Sequence, residues 1–134
     1  MEPIIKFTNY KIKNIDYKFL GLDKESNSNS DAVENTINTK VQIGISKDLK
    51  EGLVILKNEI IDSENDRTIS IEIYGEFEIL KEMDEDEIKS VLKVNGVAIL
   101  YPYSRSLISF LTSIDSDSAI LLPTINTSIT SNDI

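Results

Sequence analysis

The run Gly96-Val97-Ala98-Ile99-Leu100-Tyr101-Pro102-Tyr103-Ser104-Arg105-Ser106-Leu107-Ile108-Ser109-Phe110-Leu111, with Leu121-Leu122-Pro123-Thr124-Ile125-Asn126 after it, decides the fold. Leu107, Ile108 and Leu111 recur at helical spacing, while Ser104, Arg105 and Ser109 supply a polar side. Pro102 lacks an amide hydrogen and its ring crowds the carbonyl of Ala98, so a helix here begins at the proline or bends there. Asn95 and Gly96 are start signals, and Asp115 to Ser118 are stop signals. Just upstream, Asp84-Glu85-Asp86-Glu87 precedes Ile88, Val91 and Leu92 at helical spacing. Carboxylates in a first turn are favoured by the helix dipole, and Asp84 is an N-cap candidate, so residues 84–114 are expected to be a helical region.

Earlier in the chain the apolar period changes to two. From Arg67 to Leu80, Ile69, Ile71, Ile73, Phe77 and Ile79 share one parity, and Thr68, Ser70, Glu72, Glu76 and Glu78 share the other. That predicts a strand with one core face and one acidic face. Gly75 interrupts the apolar series, as glycine does where a strand bends or another backbone comes close. Val41, Ile43 and Ile45 alternate with Lys40, Gln42 and Gly44 in a shorter strand. Leu53 to Ile61 is apolar at both parities, which predicts cover on both faces, and Ser63-Glu64-Asn65-Asp66 reads as a hairpin loop. The first strand, about Ile5 to Leu20, changes phase: Tyr10 and Ile12 share one parity, Ile15, Tyr17 and Phe19 the other. A bulge near Asn14 reconciles them.

Residues 23–38 contain Ser26-Asn27-Ser28-Asn29-Ser30, a composition that builds no core, and predict a mobile excursion. Val33 and Ile37 are its only large apolar residues; they either pin the loop to the sheet or line a binding surface. The whole reads as strand 1 (1–22), long loop, strands 2–4 (39–80), helical region, then a loop and tail (115–134), an α+β domain with a four-stranded antiparallel sheet. A length of 134 residues suits one compact domain. One such sheet and one long helix leave apolar surface uncovered, so association between subunits is expected.

Composition removes most other functions. The 23 acidic against 14 basic residues give a net charge of -9, which argues against nucleic acid, where phosphate binding needs clustered Lys and Arg. With no cysteine and no histidine, thiol nucleophiles, thiolate metal sites and serine–histidine triads are excluded. Paired carboxylates are common in any acidic chain, and none here accompanies a recognisable nucleophile or glycine-rich phosphate loop. The Asp115-Ser116-Asp117-Ser118 run lacks the glycine and distal Glu of a calcium loop. No catalytic residue, cofactor or metal is therefore assigned, and an enzyme is not expected. Met1-Glu2-Pro3-Ile4-Ile5-Lys6 shows no apolar run of signal length, and no stretch approaches the roughly 20 apolar residues of a membrane span. Cytoplasmic residence without membrane insertion is the expectation.

Leu100-Tyr101-Pro102-Tyr103-Ser104-Arg105 resembles the Leu-Phe-Pro-Tyr-Ala-Arg heart of the bacterial export chaperone family SecB, and Leu122-Pro123-Thr124-Ile125-Asn126 resembles the Leu-x-Pro-Ile/Val-Asn that follows the family's long helix. The chain departs from the pattern at Ser106, where the family has Glu, and at Ser113-Ile114-Asp115-Ser116-Asp117-Ser118, which replaces an Arg-Gly-x-Phe-Pro turn. Thr127 replaces a phenylalanine, and the family's C-terminal helix is expected to be missing or reduced to a turn.

The resemblance implies a chaperone that holds unfolded polypeptides in an apolar groove without ATP, with export as one destination. It places that groove among Val41, Ile43, Leu121, Leu122 and Ile125, with the 23–38 loop, including Val33 and Ile37, as a flexible wall. Core packing is the competing reading for each of these residues. The resemblance also implies a homotetramer, a dimer of dimers packed through long helices, with Tyr101, Tyr103, Leu107 and Phe110 at the contacts or else facing the chain's own sheet. Hand-over to the translocase ATPase SecA through an acidic surface maps to Glu72, Glu76 and Glu78. Two other readings stay open: a dedicated chaperone of one partner, such as the antitoxin of a toxin–antitoxin pair, and an oligomeric adaptor that kept the fold and lost the groove.

Overall fold

A computed structural model describes residues 3–20, 36–115, 120 and 132–133. Four strands, β1 (Ile5–Phe19), β2 (Thr36–Ile45), β3 (Glu51–Asp62) and β4 (Arg67–Ile79), pair antiparallel in the order β1-β4-β3-β2. A two-residue strand, β5 (Asn132–Asp133), adds in parallel to β2, with Lys40 opposite Asn132 and Val41 opposite Asp133. The helical region follows as α1 (Glu85–Val91), a π-helical turn (Leu92–Gly96) and α2 (Val97–Asp115). This is the α+β arrangement expected from the sequence, with β5 as an addition. Strand β2 starts three residues earlier than expected, taking Thr36, Ile37 and Asn38 out of the predicted loop.

The bulge expected near Asn14 is present in β1, and it has a companion. The β1–β4 register shifts between Phe7 and Asn9 and again between Ile12 and Asn14. Each shift flips the parity of the strand. Ile5 and Phe7, then Tyr10 and Ile12, then Ile15, Tyr17 and Phe19 all stand opposite odd-numbered residues of β4, from Ile79 to Arg67. Those odd-numbered β4 residues are its buried side, so a strand whose sequence changes phase twice carries one continuous apolar face. At the first bulge the Thr8 hydroxyl donates to the Glu76 carbonyl at 3.0 Å.

Asp84 caps α1 as the sequence predicts: its carboxylate accepts from the Glu87 amide at 2.8 Å, and the Glu87 carboxylate accepts from the Asp84 amide at 3.2 Å. This capping box satisfies two of the four orphan amides of the first turn. Asn95 and Gly96, expected to start a helix, instead lie inside it in the π turn, and α2 passes through Pro102 at an exposed position. The helix lies on the odd face of β4 and the even face of β3. Ile88, Leu92, Leu100 and Ile108 are fully buried against Val54, Leu56, Ile71 and Ile73.

Glycines set how closely helix and sheet approach. A Cβ built on Gly52 would lie 2.5 Å from Leu92 Cδ1, and one on Gly75 would lie 3.0 Å from Leu100 Cδ1 and 3.1 Å from Phe7 Cε1. Gly75 thus makes room for side chains rather than for another backbone. The expectation that β3 is covered on both faces is not met. Its even residues from Gly52 to Asp62 are buried, but Leu53 and Ile55 are only half-buried and Ile61 is exposed, because the helix occupies one face alone.

The β3–β4 hairpin turns at residues 63–66, with Asp66 at φ 53, a left-handed value that Asp tolerates. It is closed by a buried ion pair, Arg67 Nε to Asp62 Oδ2 at 2.8 Å. Asn65 donates to the same carboxylate oxygen at 2.9 Å, and Arg67 Nη1 donates to the Tyr17 hydroxyl at 3.0 Å, tying β1 to the hairpin. Burial alone would raise the Asp62 carboxyl, but the hydrogen bonds from Asn65 and Arg67, with the charge of Arg67, outweigh it and hold the group below its ordinary value.

Two outcomes are expected. Gly52→Ala destabilises by about 1–3 kcal/mol in urea unfolding, since Leu92 must repack in a filled core, and it costs much less in a Leu92→Ala background. Asp62→Asn removes the charge that Asp62 sets against a buried guanidinium and costs about 3–5 kcal/mol at neutral pH. Because the folded-state carboxyl titrates below the unfolded one, its contribution is complete above the ordinary aspartate range and is lost as pH falls through the folded value. The variant's stability therefore falls less steeply than the wild type's below about pH 4, measured as unfolding midpoint against pH.

Candidate functional site

The Ser104 of the Leu100–Arg105 string is a core residue. It is fully buried and donates to Asn58 Oδ1 on β3, while Asn58 Nδ2 donates to Thr39 Oγ1 on β2 at 2.8 Å. A buried amide without partners is costly, so this chain favours one docking position of α2 on the sheet. At the far end of α2, Thr112 Oγ1 accepts from the Ile120 amide at 2.7 Å, and Ile120 packs against the core.

From that fixed position the helix leaves the apolar face open at both sides of the sheet. On the β1 side, Tyr103 stacks with Tyr10 at 4.4 Å between ring centroids and approaches Phe7 at 5.8 Å. Ile99, Phe110 and Ile114 fall on the same helical side as Tyr103 by their spacing of four, seven and eleven residues. Beyond this contact Ile12, Ile15 and Phe19 on β1 and Phe110 and Ile114 on α2 are uncovered, with Phe19 and Phe110 each 61% exposed and Ile114 68%. The result is an apolar strip shared by an edge strand and a helix flank.

On the β2 side, residues Ile37, Val41, Ile43 and Ile45 pair opposite Ile60, Leu56, Val54 and Gly52, so all belong to the helix face. Ile37 is 46% exposed, and Ile43 and Ile45 are half-buried. Among the described residues the outer backbone edge of β2 meets another strand only at Lys40 and Val41.

The opposite face of the sheet is mostly polar, with Leu53, Ile55 and Ile61 of β3 as apolar residues. It holds two open depressions of about 840 and 350 Å³, one bordered by Thr8, Asp48, Glu51, Glu76 and Glu78, the other by Asp16, Thr36, Asn38, Glu59 and Thr68. Glu72, Glu76 and Glu78 lie on this face, Glu76 and Glu78 beside Asp48 and Glu51 at the first depression and Glu72 among lysines. Glu72 is half-buried, paired with Lys13 at 3.5 Å and opposite Lys57; Glu78 is opposite Lys6; and the Glu76 carboxylate accepts from the Asn9 amide at 3.4 Å. Lysines of β1 interleave with the β4 carboxylates, a pattern visible only once strand order is known.

The other sequence candidates separate by burial. Val41 is fully buried and Tyr101 is 4% exposed, so both are core in this chain, and burial raises the Tyr101 hydroxyl pKa against the lowering effect of Arg105. Leu107 is half-buried against the core, Tyr103 packs on Tyr10 and Phe7 of its own sheet while staying partly exposed, and Phe110 faces outward. Val33, Leu121, Leu122 and Ile125 lie outside the described residues. Tyr10, Ile12, Ile15 and Phe19 were not singled out as surface residues from the sequence. Their signal was present in the phase changes of a long strand, but which face they share, and that the strand is an edge, depend on pairing.

No protein-family profile matches the chain. An uncharacterised protein of Methanocaldococcus jannaschii is 27% identical over 127 residues, spanning 91% of this chain and 79% of that protein. The fold is similar to that of a SecB-like chaperone of Mycobacterium tuberculosis, solved in complex with a peptide from an antitoxin. The TM-score is 0.70 at 12% identity, over 91% of this chain and 88% of that one. A Streptococcus agalactiae protein of unknown function aligns with a TM-score of 0.52 at 16% identity, over 89% of this chain and 96% of that one. The alignment with the first of these structures shows that this chain has a SecB-like α+β fold, as the sequence led us to expect.

Proposed function

We propose that this protein is a SecB-like chaperone that holds extended, non-native polypeptide segments without ATP. The observation that carries this reading is the β2 edge, where Ile37, Ile43 and Ile45 border strand backbone that the described residues of the sheet leave largely open. A guest laid along β2 gains main-chain hydrogen bonds that are indifferent to sequence. It also buries alternate side chains beside these isoleucines, at about 25 cal/mol per Å² of apolar area. The apolar strip between β1 and α2 has a separate role in this proposal: sister copies cover it, and the oligomer presents several β2 edges to one guest, which raises avidity.

The client range divides the proposal. A general holding chaperone protects many unfolded chains, and a dedicated one protects a single partner. The dedicated reading draws support from the fold neighbour that was solved with an antitoxin peptide. Transfer of clients to SecA draws no support from the lysine-interleaved sheet face.

Aggregation of three chemically unrelated unfolded proteins, followed by light scattering, tests the proposal. The general reading expects suppression of all three at near-stoichiometric ratios, and Ile37→Asp, at an exposed position that leaves the circular dichroism spectrum unchanged, needs roughly tenfold more protein for the same effect. Protection of none of the three, with tight binding of one partner peptide, selects the dedicated reading; absence of both defeats the chaperone proposal. For the assembly, Phe110→Asp combined with Ile114→Asp reduces the mass measured by static light scattering to that of one chain, whereas a wild-type mass already equal to one chain overturns it.

A further inference from the structure

The β2 edge already has an occupant from its own chain. Asn132 and Asp133 run parallel to Lys40 and Val41, at the centre of a strand that extends from Thr36 to Ile45. Exposed edges are commonly covered to prevent unwanted pairing, but a cover intended as permanent would be long or apolar. Among the described residues this one is neither. Two residues pair along a ten-residue strand, both are polar, and the pairing is parallel, which is slightly less stable per residue than antiparallel pairing.

We infer that β5 is an internal stand-in for the guest: it pairs with the middle of the β2 edge when no client is present and is displaced when an extended segment pairs along the strand. The inference rests on the holding function proposed above and adds its regulation. Geometry gives the guest the advantage, because a longer extended segment pairs with more of β2 than Lys40 and Val41 and reaches Ile37 on one side and Ile43 and Ile45 on the other. Covering the middle of the strand breaks the edge into two shorter stretches, which disfavours pairing between the β2 edges of two copies. A competing intramolecular segment lowers apparent guest affinity by the fraction of molecules whose edge is free, so it sets a threshold that weak or short guests do not pass.

Full-length protein with Asn132→Pro and Asp133→Pro tests this, since proline supplies no amide to a neighbouring strand. The probe is a dye-labelled peptide as long as β2, alternating isoleucine with serine or lysine, and its binding is followed by fluorescence anisotropy. The expected result is about three- to tenfold tighter binding to the proline variant, with faster exchange in the variant alone of whichever of the Lys40 and Val41 amides turns toward β5, and slower exchange once the peptide is bound. Equal affinity and equal exchange in both proteins overturn the inference while leaving the holding function intact. Binding by neither protein overturns both. Increased self-association of the variant without a gain in peptide affinity also overturns it, since it would make β5 only a guard against pairing between copies.

Discussion

One helix lies on a sheet wider than itself, and the rest of the molecule follows from that mismatch. A helix with its side chains is roughly 10–12 Å across, whereas four strands at about 4.8 Å spacing reach roughly 14 Å between outermost backbones before side chains are added. Centred over β3 and β4, the helix seals Val54, Leu56, Ile71 and Ile73 completely. Ile12, Ile15 and Phe19 of β1 on one side, and Ile37 of β2 on the other, remain exposed on the face they share with that core.

The position of the helix over the sheet is held by small and polar residues. Gly52 accepts Leu92 at a distance that any side chain would obstruct, and Gly75 accepts Leu100 and Phe7 at distances that a Cβ would crowd. The Ser104–Asn58–Thr39 chain adds a directional contact that hydrophobic burial lacks. A bulkier residue at any of these points would lift or slide the helix, and the exposed areas at the two margins would change with it. The Arg67–Tyr17 hydrogen bond does the same for β1, holding the distal half of the strand that carries Ile15 and Phe19.

The two margins differ in chemistry. The β1 margin is rich in aromatic and branched side chains on a helix flank, which suits a defined, repeated contact. The β2 margin couples modest apolar cover to open backbone, which suits guests of varied sequence, and it lies beside β5. Under the holding function proposed above, separation of a shape-specific surface from a backbone-reading one lets a single chain assemble and bind without the two contacts competing.

Element types were legible in the sequence because they depend on periodicities that each segment carries by itself. The alternation of Ile69, Ile71 and Ile73, the Asp84 cap with Glu87, the Ser63–Asp66 hairpin and the Asn14 bulge are all local. The two short strings around Pro102 and Pro123 added the family-like fold. What only the tertiary structure decided is which apolar residue is covered. Val41 and Ile37 lie four residues apart on one strand face, yet one is fully buried and the other half open. Glu72 reads as acidic surface until β1 brings Lys13 to it from a distant part of the sequence. Burial and charge pairing are set by neighbours across the sheet and under the helix, and no periodicity within one strand records the width of what lies on top of it.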